Sequence, residues 1–140
     1  MRTIKFRGRL SNGEWCYGDL ITYKSGEAAI ANFSRYGYEC SDMNRVRVDP
    51  ETVGQFTGLT DKAGREIYEG DIVQWGDSEY KIKQVVEFRN GAFGYVYDTI
   101  GSFVPYAGNT NFDFAALGTD KRFEVIGNVF DNSDLLEKGD

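Results

Sequence analysis

A chain of 140 residues can bury the core of one ordinary domain, and its 41% hydrophobic share excludes a disordered polypeptide. A net charge of −6 sets the molecule as a whole against nucleic acid. A His count of 0 excludes Ser-His and Cys-His nucleophiles and every His-containing zinc site.

The start Met1-Arg2-Thr3-Ile4-Lys5-Phe6-Arg7 carries charges where a signal peptide needs an apolar run, and no stretch reaches the length of a membrane span. A cytoplasmic protein without a membrane partner is expected. In the first strand, Ile4, Phe6 and Leu10 share the inward face, and Lys5, Arg7 and Arg9 share the outward one. Ser11-Asn12-Gly13 is a hairpin turn. Glu14 to Thr22 is a second strand and Glu27 to Phe33 a third. Residues 34–44 read as a loop with a short strand. Val53 to Phe56 is extended, and Thr60 to Arg65 has turn chemistry, with Asp61 opening the turn and Gly64 closing it.

Asp71 to Trp75 is the next strand. The clearest is Tyr80 to Phe88, where Tyr80, Ile82, Gln84, Val86 and Phe88 alternate with Lys81, Lys83, Val85, Glu87 and Arg89. Asn90-Gly91 turns it into Ala92 to Tyr97. Residues 98–120, rich in Gly and Asn and containing Pro105, read as a long loop with one short strand near Phe112 to Ala116. Lys121 to Phe130 returns to strand. Asn132 or Asp131 caps a final short helix, Ser133 to Lys138, with Leu135 and Leu136 inward. Tyr17-Gly18-Asp19-Leu20-Ile21 echoes Glu69-Gly70-Asp71-Ile72-Val73, each a Gly-Asp turn feeding an apolar strand. No linker divides the chain, so residues 1–140 are expected to be a single domain.

Cys16 and Cys40 lack CxxC spacing; a disulfide between them is the alternative, and two free thiols in a reducing compartment is the favoured reading. Neither GxxxxGK[ST] nor GxGxxG occurs. Glu66, Glu69 and Asp71 could approach a divalent cation, but EF-hand spacing is missing and Gly-Asp is a turn signal, so Asp71 is read as organising its turn. Phe93, Tyr95 and Tyr97 alternate along one strand face. Base stacking would use such a row, but core packing is the favoured reading. Trp15 and Trp75 are read the same way, as core or interface residues.

The run Thr52-Val53-Gly54-Gln55-Phe56-Thr57-Gly58-Leu59-Thr60-Asp61-Lys62-Ala63-Gly64-Arg65-Glu66-Ile67-Tyr68-Glu69-Gly70-Asp71-Ile72-Val73 resembles the signature of the YopX family. Ile4-Lys5-Phe6-Arg7-Gly8 is similar to that family's start. Val125-Ile126-Gly127-Asn128-Val129-Phe130-Asp131-Asn132 and Leu135-Leu136 are similar to its end. The resemblance implies a small protein of bacteriophages and prophages, largely β with a compact barrel-like body, and it brings no catalytic residues.

The expected fold is therefore mainly β: a small barrel-like body, SH3-like or partly open, with long loops and a short C-terminal helix. The expected function is an accessory phage protein that acts by binding, to a host or phage protein, as a homo-oligomer, without a cofactor or a catalytic step. Lys5, Arg7 and Arg9 are the expected binding residues, because three cations in a row jointly attract an anion. Residues 1–49 carry 8 basic and 6 acidic side chains, a net of +2, and residues 50–140 carry 8 basic and 16 acidic, a net of −8. The acidic end of this or an adjacent subunit could supply that anion. A nucleic-acid-binding module using the basic first strand is the second reading, and a carboxylate-metal hydrolase the last.

Overall fold

The computed structural model describes residues 3–31, 45–76, 79, 81–89, 91–96, 103–105 and 123–136. The strands are β1 (Phe6–Arg9), β2 (Trp15–Thr22), β3 (Ala28–Ala31), β4 (Arg45–Thr60), β5 (Glu66–Tyr68), β6 (Asp71–Gly76), β7 (Lys81–Arg89), β8 (Ala92–Val96), β9 (Phe103–Pro105) and β10 (Glu124–Asn128). They form two five-stranded antiparallel sheets, β1-β2-β3-β4-β5 and β10-β6-β7-β8-β9. The mainly β expectation holds. The chain divides into two compact units, residues 1–56 and residues 57–140.

In the first unit, β1 pairs with both β2 and β4, which closes β1 to β4 into a ring. Ala28, Ile30 and Val48 are buried inside it, with Phe6, Leu10, Cys16, Leu20 and Val53 packed against them. At Gly8 the backbone passes close to this core: a Cβ there would lie 2.6 Å from Val48 Cγ2. The register against β4 then slips, from Arg7 opposite Gly54 to Arg9 opposite Asp49. Pro50, which has no amide to donate, sits in the slipped stretch. Thr52 closes it, its Oγ1 accepting the Arg9 amide at 2.9 Å and donating to the Asp49 carbonyl at 2.7 Å.

The second unit has its own core of Leu59, Ile67, Val73, Val86, Tyr95 and Phe123, with Trp75, Phe93 and Val125 against it. Tyr95 meets Phe123 edge-on with ring centroids 5.2 Å apart. Gln84 is buried, and its Oε1 accepts the Trp75 indole N–H at 3.0 Å. The core reading of Phe93, Tyr95 and Trp75 therefore holds, while Tyr97 lies outside the described residues.

Several expectations are corrected. A strand, Phe103–Pro105, pairs with β8 inside the stretch read as loop, and its Pro is tolerated because it lies at the strand's end. The short strands expected within 34–44 and near Phe112 to Ala116 lie outside the described residues. The C-terminal helix is one 3-10 turn, Ser133–Leu136. Leu136 is 40% exposed there, because a turn of four residues cannot bury two successive leucines. Asn132 does not cap it with its side chain: Oδ1 turns back to accept the Asn128 amide at 3.1 Å. Ile4, expected inward, is 56% exposed, since the strand begins only at Phe6. The Gly-Asp echo is not structural either. Gly18 and Asp19 lie within β2, whereas Gly70 forms a turn at φ 94°.

Candidate functional site

The three sequence-predicted cations are placed differently from one another. Lys5 lies over the Phe56 ring at 5.8 Å. Arg7, expected to project into solvent, is only 5% exposed, with its guanidinium 4.7 Å over the Trp15 ring. Arg9 is half-buried opposite Trp15 in the β1–β2 register. Strand period fixes which face a side chain takes but not what covers that face. The expected open stripe of Lys5, Arg7 and Arg9 is thus broken at its centre by Arg7. The planar guanidinium of Arg7 suits stacking on an indole, which is the most favourable ring for a cation.

A more open cationic surface lies at the start of β4. Arg45 and Arg47 alternate with Val46 and Val48, so both arginines face away from the core that contains Val48. Tyr23, half-buried at the end of β2, holds the pair. Its ring lies 4.7 Å beneath the Arg47 guanidinium, and its hydroxyl accepts from Arg45 Nη1 at 3.3 Å. Arg47 also forms an ion pair with Glu27. This surface was missed in the sequence. The alternation Arg45-Val46-Arg47-Val48 was the available signal, but no pattern in the sequence links it to Tyr23, 22 residues away.

The segment carrying the family signature is a structural clasp of the second unit. Asp61 is fully buried, yet each of its oxygens is used. Oδ1 accepts the amides of Ala63 at 2.9 Å and Arg65 at 2.8 Å, and Oδ2 accepts the amide of Val125 at 2.8 Å. Arg65 Nε lies 3.4 Å from Asp61 Oδ2, and its Nη2 reaches Glu124 Oε2 at 3.3 Å. Lys62 N donates to the Phe123 carbonyl at 3.0 Å. The turn thus satisfies outward-facing backbone groups of β10 and its approach, a covered strand edge.

Next to it, Asp71 Oδ2 accepts the Tyr68 amide at 2.7 Å, and Glu66 Oε1 accepts the Tyr68 hydroxyl at 2.9 Å. Gly70 donates to the Val86 carbonyl at 2.8 Å and accepts from the Val129 amide at 2.9 Å. Asp71 organises its turn, as its sequence context implies. Among the described residues, no group of three or more His, Cys, Asp or Glu could hold a metal ion. Cys16 is a free, half-buried thiol whose pKa is raised by burial, so it resists forming the thiolate. Cys40 lies outside the described residues. No helix among the described residues is long and apolar enough to cross a membrane.

None of the curated proteins matches the chain. Among solved structures it is similar to protein EF1440 from Enterococcus faecalis, with 20% identity over 98% of this chain and 100% of that one and a TM-score of 0.52. That likeness speaks to the fold alone. The family described as YopX protein matches residues 5–137, a span that includes the Asp61 clasp, the Gly70 turn and β10. The chain belongs to the YopX family.

Proposed function

We propose that this chain is an accessory protein of a phage or prophage that acts by binding a protein partner and does so as a homo-oligomer. Family membership supports the phage setting, and with it a place in the host cytoplasm. The observation that carries the binding reading is the Tyr23-held pair of Arg45 and Arg47. Arg and Tyr are enriched at protein interfaces because each joins a large contact area to directional hydrogen bonding. Tyr17 adds an aromatic side chain 41% exposed on the outward face of the same unit. Catalysis has no comparable support, since Asp61 and Asp71 hold turns and Glu66 accepts the Tyr68 hydroxyl.

The test is light scattering of the full chain at micromolar concentration, joined to affinity capture from host cells with wild type and Arg47→Glu side by side. The expected outcome is an assembly of defined mass and a captured protein that Arg47→Glu loses. A monomer mass overturns the oligomer, and equal capture by the variant overturns the surface.

The second reading, a nucleic-acid module, is favoured by one observation: arginines stacked on aromatic rings recur in the first unit, at Trp15 and at Tyr23. Its mark would be a DNA or RNA gel shift that weakens steeply with salt.

A further inference from the structure

We propose that the C-terminal turn of one copy docks on the Tyr23–Arg45–Arg47 surface of a second copy. This rests on the homo-oligomer reading above and names the surfaces that would make it.

The turn is built to present what it carries. Asn128 Oδ1 accepts the amides of both Phe130 and Asp131 at 2.9 Å. Asn132 Oδ1 accepts the Asn128 amide, and the Asn132 carbonyl accepts the Leu135 amide at 2.9 Å. Gly127 leaves room for this, because a Cβ there would stand 2.5 Å from Asn132 Oδ1. The backbone from Asn128 to Leu135 is therefore tied before any partner arrives, which lowers the ordering cost of binding. From it Phe130 is 36% and Leu136 40% exposed, and Asp131 and Asp134 are exposed beside them. Two large apolar side chains and two carboxylates thus face solvent within seven residues.

The other surface is complementary in charge. Lys24, Arg45 and Arg47 are exposed near Tyr23, and Arg47 is paired with Glu27. Successive outward residues of a strand stand about 7 Å apart, so Arg45 and Arg47 can meet two carboxylates of one short segment. A guanidinium offers a planar fork matched to a carboxylate. The matching charges lie on opposite sides of the sequence's own division, +2 for residues 1–49 against −8 for the rest. A nucleic acid could use the arginines, but it would meet the −8 of the remaining chain. The two patches differ, so the contact is heterologous and propagates to a ring or a filament.

The experiment compares wild type, Arg45→Glu/Arg47→Glu and Asp134→Lys/Leu136→Lys, each checked for its fold by circular dichroism. Light scattering should give wild type an assembly and each variant the monomer. The second variant alters only exposed side chains of the 3-10 turn, so it stands even if the first misfolds. A mixture of the two variants retains one native pair of surfaces and should give a one-to-one complex that 1 M salt weakens. Wild-type mass in either folded variant, or no complex in the mixture, overturns the inference. A monomeric wild type overturns the homo-oligomer reading as well, so the two failures are distinct. If Arg45→Glu/Arg47→Glu keeps the wild-type mass but loses a low-salt DNA or RNA shift, the surface belongs to nucleic acid and the inference falls.

Discussion

Asp61 shows how a single side chain can serve two distant parts of the chain. Its two oxygens accept three backbone amides, two in its own turn and one from Val125 on β10. Asp61→Ala would leave three partly buried amides without this acceptor, at about 1–3 kcal/mol for each that stays shut off from water. A loss of at least 2 kcal/mol or so in urea unfolding is expected. Asp61→Asn should also destabilise, because its amide group would face either the Val125 N–H or the turn amides as a donor. A stable Asp61→Ala that loses partner binding would move the clasp from structure to function. Gly70→Ala should cost about 1 kcal/mol or more, because φ at Gly70 is 94° and its amide and carbonyl are both hydrogen-bonded. An unchanged melting point would refute that account. These two residues also mark what was legible in the sequence. Asp61 as a turn-former and Gly70 as a turn glycine follow from local chemistry. The bond from Asp61 to Val125, 64 residues on, does not, since no local pattern encodes a partner across the sheet. Arg7 teaches the same lesson: its face was legible, but its cover by Trp15 was not.

At the scale of elements, one five-residue turn occurs three times among the described residues. In Leu10–Glu14, Tyr23–Glu27 and Asp61–Arg65, the first amide donates to the fifth carbonyl and the fourth amide to the first carbonyl. The fourth residue is Gly13, Gly26 or Gly64, each with φ between 88° and 94°. This is the three-residue hairpin loop with glycine in the left-handed position; Gly13 and Gly64 are legible in the sequence as turn residues, whereas Gly26 is not singled out there. The β4 strand was harder to see. Arg45 to Val48 alternates as a strand should, but Pro50 interrupts the pattern, and only the slipped register with β1 accommodates it. The tight seam there yields a prediction. Gly8→Ala places a methyl 2.6 Å from Val48 Cγ2, and β-branched Val48 cannot swing clear. Overpacking of this kind costs about 1–3 kcal/mol. Gly8→Ala/Val48→Ala should recover part of what the single changes lose. A double-mutant cycle that gives strictly additive losses would mean the contact is not the cause.

Among the described residues lie two hydrophobic cores of unequal size, and their difference has a measurable consequence. The core of the first unit is built on Ala28, Ile30 and Val48, side chains of small or moderate volume. That of the second holds Leu59, Ile67, Val73, Val86, Tyr95 and Phe123, among them two large aromatics packed edge-on. Buried apolar area scales the stabilisation at roughly 25 cal/mol per Å², so the second core contributes more. The ring closure of β1 on β4 supplies the first unit with backbone hydrogen bonds, but such bonds add less net stability than their number implies. Local opening free energies follow local burial, so amides of the second unit should be the last to exchange. Hydrogen exchange should therefore find Ile72, Val73, Val85 and Val86 protected longer than Leu20, Ala29 and Ile30. Val86→Ala, which opens a cavity in the larger core, should cost about 1–3 kcal/mol and shorten protection through β6 and β7. If the amides of β2 and β3 instead outlast those of β6 and β7, closure of the ring outweighs core volume, and stability in this fold resides in the first unit.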